Sequence, residues 1–206
     1  MHSETFKSAQ ALITVIIPTL NEEGNIVQTL LTTAERCLTP NACEVVVVDG
    51  GSSDATLAVA RQCTSELQKK GITLHILSGP KGRARQMNLG AEHAHGEILL
   101  FLHADTHLPP NFDINIRTTL AEAPQSLGGF SLTTDRENFP LHCICKGANL
   151  RARLLHLPYG DQALFIRRAD FMRLQMFPAL EIMEDFAFVR KVRRSRGKIT
   201  IIPETV

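Results

Sequence analysis

No stretch of this 206-residue chain is long and apolar enough to span a bilayer: the run from Ala11 to Ile17 is far too short, and the residues before it are polar and carry no secretion signal. Charge of either sign is not in excess. A formal net charge of +1 supplies no general pull toward nucleic acid, so no nucleic-acid partner is expected. The five cysteines (Cys37, Cys43, Cys63, Cys143, Cys145) are odd in number and lack a repeated CxxC spacing, which excludes a disulfide frame and a zinc ribbon. Reduced thiols of this kind fit a cytosolic chain. There is no internal repeat and no low-complexity linker. The first apolar segment is followed by neither GxGxxG nor GxxxxGK, so a Rossmann dinucleotide site and a P-loop are both excluded.

What is present is alternation. Residues 12–17, 44–48, 72–77 and 97–102 are β-branched or apolar runs, each bounded by turn residues. Between them lie helical patterns, with Ile26, Leu30, Leu31, Ala34 and Cys37 on one face, then Leu57, Ala60, Cys63 and Leu67, then Ala84, Met87, Ala91 and Ala94. Asn21 is placed to cap the first of these helices and Asp54 the second. The run Ile98–Leu102 has no polar break, as in a strand buried on both faces of a parallel sheet. The fold class is therefore α/β, a mostly parallel central sheet flanked by helices, in one domain over 1–206.

The second half is less regular. It offers a helix over 112–120, strands over 128–133, 162–166 and 198–202, and a helix over 184–194 whose last turns are basic. An amphipathic segment, Leu141–Leu157, carries Lys146, Arg151 and Arg153 among leucines. It reads as a core-facing helix with a solvated basic face, or as a surface for an acceptor, a lipid phosphate or a membrane. After Ile202 no terminal element is expected, which leaves a sheet edge that a second copy could cover.

The polar residues collect where strands end. Glu22, Asp49, Asp105, Asp161 and the pair Glu184-Asp185 would meet at one sheet edge, where open α/β sheets bind ligands. Converging carboxylates repel unless a cation or donors compensate. Mg²⁺ or Mn²⁺ with a phosphorylated ligand would do so, and Arg83 and Arg85, just after the third strand, could carry phosphate charge. Each of these residues also has a plain structural role open to it, as a turn residue, a cap or a first-turn acid.

Four motifs in order carry a resemblance over nearly the whole chain: Ile16-Ile17-Pro18-Thr19-Leu20-Asn21-Glu22-Glu23, Val47-Val48-Asp49-Gly50-Gly51-Ser52-Ser53-Asp54, Phe101-Leu102-His103-Ala104-Asp105 and Met183-Glu184-Asp185-Phe186. They resemble family 2 glycosyltransferases with the GT-A fold. Gly82-Arg83-Ala84-Arg85-Gln86-Met87-Asn88, Pro158-Tyr159-Gly160-Asp161-Gln162 and the His103-Ala104-Asp105 form are similar to the small soluble arsenosugar-biosynthesis-type subgroup.

That resemblance implies a nucleoside diphosphate sugar as donor, a UDP-sugar by family habit, and a hydroxyl acceptor. It makes 1–106 the donor half and 107–206 the acceptor and catalytic half. Pro18, Thr19, Glu22, Asp49 and Gly50 would line the nucleotide pocket, with Asp49 accepting a hydrogen bond from the base. Arg83, Arg85, His103, Ala104, Gly160 and Asp161 would hold the nucleotide sugar. Asp105 would bind the metal, Mn²⁺ or Mg²⁺, and Asp185 would be the general base supported by Glu184. Two positions depart from the pattern. His103 stands where the first acid of the metal motif is usual, and could bind metal, phosphate or a neighbouring ligand. Met87 stands before Asn88 in place of arginine. The competing readings are a non-catalytic nucleotide-binding relative and a sugar-nucleotide nucleotidyltransferase; the latter needs cations in Pro18–Gly24, where there are none.

Overall fold

The computed structural model describes residues 11–123, 126–134, 145–152 and 156–206. Its sheet has seven strands: β1 (Ile13–Thr19), β2 (Cys43–Asp49), β3 (Thr73–Ser78), β4 (Ile98–Phe101), β5 (Ser126–Ser131), β6 (Phe165–Arg167) and β7 (Lys198–Thr205), in the order β3-β2-β1-β4-β6-β5-β7. β1 pairs in parallel with β2 and β4, β2 with β3, and β5 with β7, while β6 runs antiparallel to β4 and β5. The helices are α1 (Ile26–Arg36), α2 (Thr56–Gln62), α3 (Thr64–Lys69), α4 (Arg83–His93), α5 (Phe112–Glu122), α6 (residues 145–152), α7 (Arg168–Arg173) and α8 (Glu184–Arg194).

Successive strand residues face opposite ways, and this divides the core in two. Val15, Ile17, Val45, Val47 and Leu100 pack with Ile26, Leu30, Ala60, Leu67, Phe112 and Ile116 on one face. Ile16, Leu99 and Phe101 pack with Ala84, Met87 and Ala91 of α4, and with Phe171, Phe188 and Val189, on the other. Phe101, Phe171, Phe177 and Phe188 form a ring cluster with centroids 4.8–5.1 Å apart. Such tilted and edge-to-face pairs add to simple burial. Together they fix α8 against the sheet, with its amino terminus at the carboxyl ends of β1 and β4.

Several boundaries differ from the sequence expectations. Asn21 has φ +58° and does not cap α1, which begins at Ile26. Its side-chain oxygen instead accepts from the Ser53 N–H at 2.8 Å, while its own N–H donates to Ser52 Oγ at 2.8 Å, joining the loops after β1 and β2. The helix expected after β2 is broken at Cys63 into α2 and α3. Asp54 accepts from Thr56 N–H at 3.0 Å as an Asx turn, one residue before the cap position Ala55. The strand expected over 162–166 starts only at Phe165, because Gly160–Gln162 is a 3-10 turn. At the end of the chain, β7 continues past Ile202 to Thr205, and Val206 N–H donates to Ser131 O at 2.9 Å. Pro203 is tolerated there because β7 lies at the edge of the sheet. Of the amphipathic segment 141–157, residues 145–152 are helical, with Ala152 buried and Leu150 exposed; residues 141–144 and 153–155, including Cys143 and Arg153, lie outside the described residues.

Candidate active site

Parallel strands deliver their following loops to one edge. β1, β2 and β4 end there at Thr19, Asp49 and Phe101, and β6, running the other way, is entered from that same edge through the Gly160–Gln162 turn. α8 adds Glu184 and Asp185 from its first turn. A cleft of about 350 Å³ opens at this edge, lined by Pro18, Thr19, Leu20, Glu22, Lys81, Gly82, Arg83, Gln86, His103, Ala104 and Asp105. A second cleft of about 820 Å³ shares Asp105 and runs between Pro109-Pro110 and Glu204–Val206.

Behind His103 lies an acid cluster. Asp185 is 7% exposed, and its Oδ2 accepts from the Gly160 N–H at 2.5 Å while Oδ1 accepts from the Phe186 N–H at 2.7 Å. Gly160 separates Asp185 from His103. A Cβ at residue 160 would stand 3.2 Å from both Asp185 Oδ2 and His103 Nε2, closer than ordinary contact, so a side chain there would press on both groups. Glu184 is fully buried; its Oε1 accepts from Arg83 Nε, and Oε2 has no hydrogen-bond partner among the described residues. The oxygen Oδ1 of Asp161 is likewise buried without a partner.

The electrostatics follow from this packing. Burial pushes the Asp161 carboxyl above the usual range, against the pull of His103 and Arg151. Burial, with the nearby Arg83 guanidinium, lowers His103 despite Asp105, Asp161 and Asp185, so its imidazole is neutral at neutral pH. Glu184 holds Arg83 firmly in its charged form. Arg151 stacks its guanidinium 3.5 Å over the Tyr159 ring, and Tyr159 meets Phe186 edge-on at 6.0 Å. Two buried carboxylate oxygens without donors beside a solvent-facing cleft form an anionic set that a cation would complete.

The fit of a divalent ion can be judged from the donors. Among the described residues, no three groups drawn from Asp105, Asp161, Glu184, Asp185 and His103 bring ligand atoms within 4.8 Å of one another. Asp105 is exposed at the cleft rim. Such a set does not enclose an ion, but Mg²⁺ and Mn²⁺ are commonly held by one or two carboxylates with ligand phosphates and water supplying the rest. The residues fit an ion shared with a diphosphate.

Of the residues expected to hold the nucleotide sugar, five (Asp49, Gly50, Arg85, Gly160 and Asp161) are not among those that line the cleft. The Asp49 carboxylate is folded into its own loop, accepting from Gly51 N–H and Ser52 N–H at 2.9 Å each and from Ser52 Oγ, and it does not line the cleft. Gly50 instead packs under Gln86, whose side-chain atoms would lie 3.0 Å from a Cβ there. Arg85 is exposed and does not line the cleft, whereas Arg83 does. Sequence reasoning missed Lys81 and Gln86. Gln86 is 3% exposed and its Nε2 donates to Thr19 O at 2.7 Å and Val48 O at 2.8 Å, pinning together the ends of β1 and β2.

The strand order, the reversed strand β6 and the acids at the carboxyl edge define a GT-A fold. The profile of glycosyl transferase family 2 matches residues 14–142, and the chain belongs to that family. Over 94 residues it is 35% identical to the poly(ribitol-phosphate) β-N-acetylglucosaminyltransferase TarS of Staphylococcus aureus, a match covering 46% of this chain and 16% of that one. Over 100 residues it is 33% identical to the undecaprenyl-phosphate 4-deoxy-4-formamido-L-arabinose transferase of Pseudomonas aeruginosa, covering 48% and 29%. The chain thus spans less than a third of the length of either relative. Residues 1–349 of S. aureus TarS in complex with UDP superpose with a TM-score of 0.74 at 21% identity, over 95% of this chain and 60% of that one. The mannosyltransferase PcManGT from Pyrobaculum calidifontis in complex with GDP-Man and Mn²⁺ gives 0.72 at 24% identity, over 94% and 55%. Among the described residues no helix is long and apolar enough to cross a membrane.

Proposed function

We propose that this chain is an inverting glycosyltransferase that moves a sugar from a nucleoside diphosphate sugar, preferentially a UDP-sugar, to a hydroxyl acceptor. The observation that carries this reading is the placement of Asp185 and His103 on either side of Gly160, behind a cleft that Asp105 and Arg83 line. Family membership and the UDP-bound and GDP-Man-bound structural neighbours support the donor class. The donor would sit over the ends of β1 and β4, its nucleotide along Pro18, Thr19 and Glu22, its diphosphate near Arg83, Lys81 and His103, with Ala104, Gly160 and Asp161 toward the sugar. The halves 1–106 and 107–206 would then serve donor and acceptor respectively. The Gly82–Asn88 helix start and the His103-Ala104-Asp105 corner that suggest the arsenosugar-type subgroup both fall at this cleft.

In the reaction, Asp185 takes the proton of the acceptor hydroxyl as its oxygen bonds to the anomeric carbon. The bond from that carbon to the diphosphate oxygen breaks on the opposite face, and the nucleoside diphosphate leaves with the bonding pair. Arg83, itself oriented by Glu184, faces the departing charge. The neutral His103 imidazole can donate one hydrogen bond to a phosphate oxygen. A divalent ion on Asp105 and the diphosphate would lower the cost of the leaving charge.

Calorimetry with UDP, GDP, CDP and ADP, each with and without Mn²⁺, tests the donor site on the wild type and Asp105→Ala. The expected result is selective binding of one diphosphate that depends on metal and is lost in the variant. Absence of binding to every diphosphate under every condition would overturn the donor-site assignment.

A further inference from the structure

A second set of metal-binding side chains lies at the other end of the sheet. Glu44 is the second residue of β2, five residues before Asp49, so at about 3.3 Å per residue it lies about 16 Å from the loops that form the cleft. His75 is on the edge strand β3, and His95 is in the turn between α4 and β4. Their ligand atoms all lie within 4.8 Å of one another. None of the three takes part in the chemistry described above.

The two Glu44 oxygens are used differently. Oε1 accepts from the Thr14 hydroxyl at 2.6 Å and from the backbone N–H of His95 at 2.7 Å. Oε2 faces the two imidazoles: His95 Nδ1 at 3.1 Å and His75 Nε2 at 3.6 Å. Zinc with bonds of 2.0–2.2 Å to nitrogen and oxygen sets tetrahedral ligands about 3.3–3.5 Å apart, and the two observed separations bracket that spacing.

The surroundings hold this arrangement. Thr14 Oγ1, while donating to Glu44, accepts from Gly96 N–H at 3.0 Å, which ties the residue after His95 to β1. A Cβ at Gly96 would lie 2.7 Å from Thr14 N and 2.8 Å from Leu12 O, so only glycine allows the approach that brings His95 over Glu44. These contacts orient the carboxylate in the way that outer hydrogen bonds orient metal ligands. The Glu44 side chain is 7% exposed, whereas those of His75 and His95 are 39% and 69% exposed. The carboxylate is thus buried and directional while the imidazole side is open to solvent, leaving room for water as a fourth ligand.

We propose that Glu44, His75 and His95 form a zinc site at the amino-terminal edge of the sheet, separate from the donor cleft and independent of nucleotide. The donor set, two imidazoles and one carboxylate, suits zinc over Mg²⁺ or Ca²⁺, which prefer all-oxygen shells. Because it joins β2, β3 and the α4–β4 turn, bound zinc stabilises the folded chain and has no direct part in sugar transfer.

The test uses the full chain stripped with a chelator and titrated with ZnCl₂ in the absence of nucleotide, followed by calorimetry and thermal unfolding. One equivalent of Zn²⁺ is expected to bind and to raise Tm. His75→Ala and His95→Ala, at a half-buried and an exposed position, should each weaken binding by more than about tenfold, since even outer-shell changes at zinc sites cost about that much. Asp105→Ala should bind zinc as the wild type does. Co²⁺ in place of Zn²⁺ should give the intense visible absorption of a tetrahedral site, lost in the double histidine variant. Failure of the wild type to bind zinc, or unchanged stoichiometric binding and cobalt spectrum in the double variant, would overturn the proposal. Loss of zinc binding in Asp105→Ala alone would assign the ion to the donor cleft instead.

Discussion

Replacing Asp185 by asparagine separates the chemistry of this carboxylate from its structural work. The carboxylate serves two backbone donors, Gly160 N–H on Oδ2 and Phe186 N–H on Oδ1. A carboxamide has one acceptor oxygen, so one of those N–H groups must face an NH₂. An orphaned buried donor costs about 1–3 kcal/mol, and for a chain of this size that lowers Tm by about 2–12 °C. The chemical effect is larger. Loss of a general base slows turnover by about 10²–10⁴-fold, or about 3–5 kcal/mol of barrier at 1.36 kcal/mol per decade. Initial rates of nucleoside diphosphate release, measured with acceptor well below the Tm of either protein, read the second effect without the first. Nucleotide affinity should hold, because Asp185 does not line the cleft and reaches it only beside His103. A variant that keeps kcat within about a factor of ten of wild type would refute the base assignment and leave Asp185 as a clamp on the Gly160 turn.

Asp161 should show the opposite balance. Burial raises its folded-state pKa above the ordinary 3.8. The folded protein therefore holds that proton more tightly than the unfolded chain, and the associated stability, full below the ordinary value, is lost as pH rises through the folded one. Asp161→Asn removes this loss, so its Tm advantage over wild type should grow from about pH 4 toward neutrality while metal-dependent nucleotide binding weakens; a lower Tm at neutral pH would contradict the reading. Gln86→Leu takes a buried donor from Thr19 O and Val48 O. Since Thr19 O still accepts from Gly50 N–H at 2.9 Å, the cost should stay near about 1–3 kcal/mol in chemical denaturation. Nucleotide affinity should fall with it as the β1 and β2 loops separate, and an unchanged unfolding midpoint would show that the glutamine does not hold them.

The first hundred residues were legible because their core is two-sided. A strand covered on both faces must be apolar throughout, so Ile98–Leu102 and Val45–Val48 announce themselves, and the polar corners after them are conspicuous. After residue 107 the sheet acquires a reversed strand. β6 is only three residues long and flanked by a 3-10 turn and α7, too short for any period to register. Asn21 was misread because a residue suited to capping is equally suited to φ +58° and to joining two loops. The break at Cys63 leaves the buried spacing Ala60, Cys63, Leu67 intact, so the apolar pattern does not reveal it.

At the site, the misses had a signal in the helix geometry. Residues two apart on a helix point about 200° apart, so Arg83 and Arg85 cannot both face one ligand. Arg83 lies over Glu184 and Arg85 lies in solvent. The same geometry puts Gln86 one turn before Gly90 and beside Met87, on the face that packs against β1 and β2, where Gly90 approaches Ile16 so closely that a Cβ would lie 2.5 Å from Cγ2. A polar side chain on a face packed that tightly must find partners, and the carbonyls at the ends of two adjacent strands are the acceptors within reach. The pairing of Asp185 with Gly160 could not be read this way. It depends on the reversed strand bringing its entry turn to the edge where the parallel strands end. Glycine is favoured at 160 by the side chains on either side of it, not by its own backbone angles. A substitution there should therefore disturb His103 and Asp185 together, and Gly160 belongs to the proposed catalytic centre although it has no side chain to contribute.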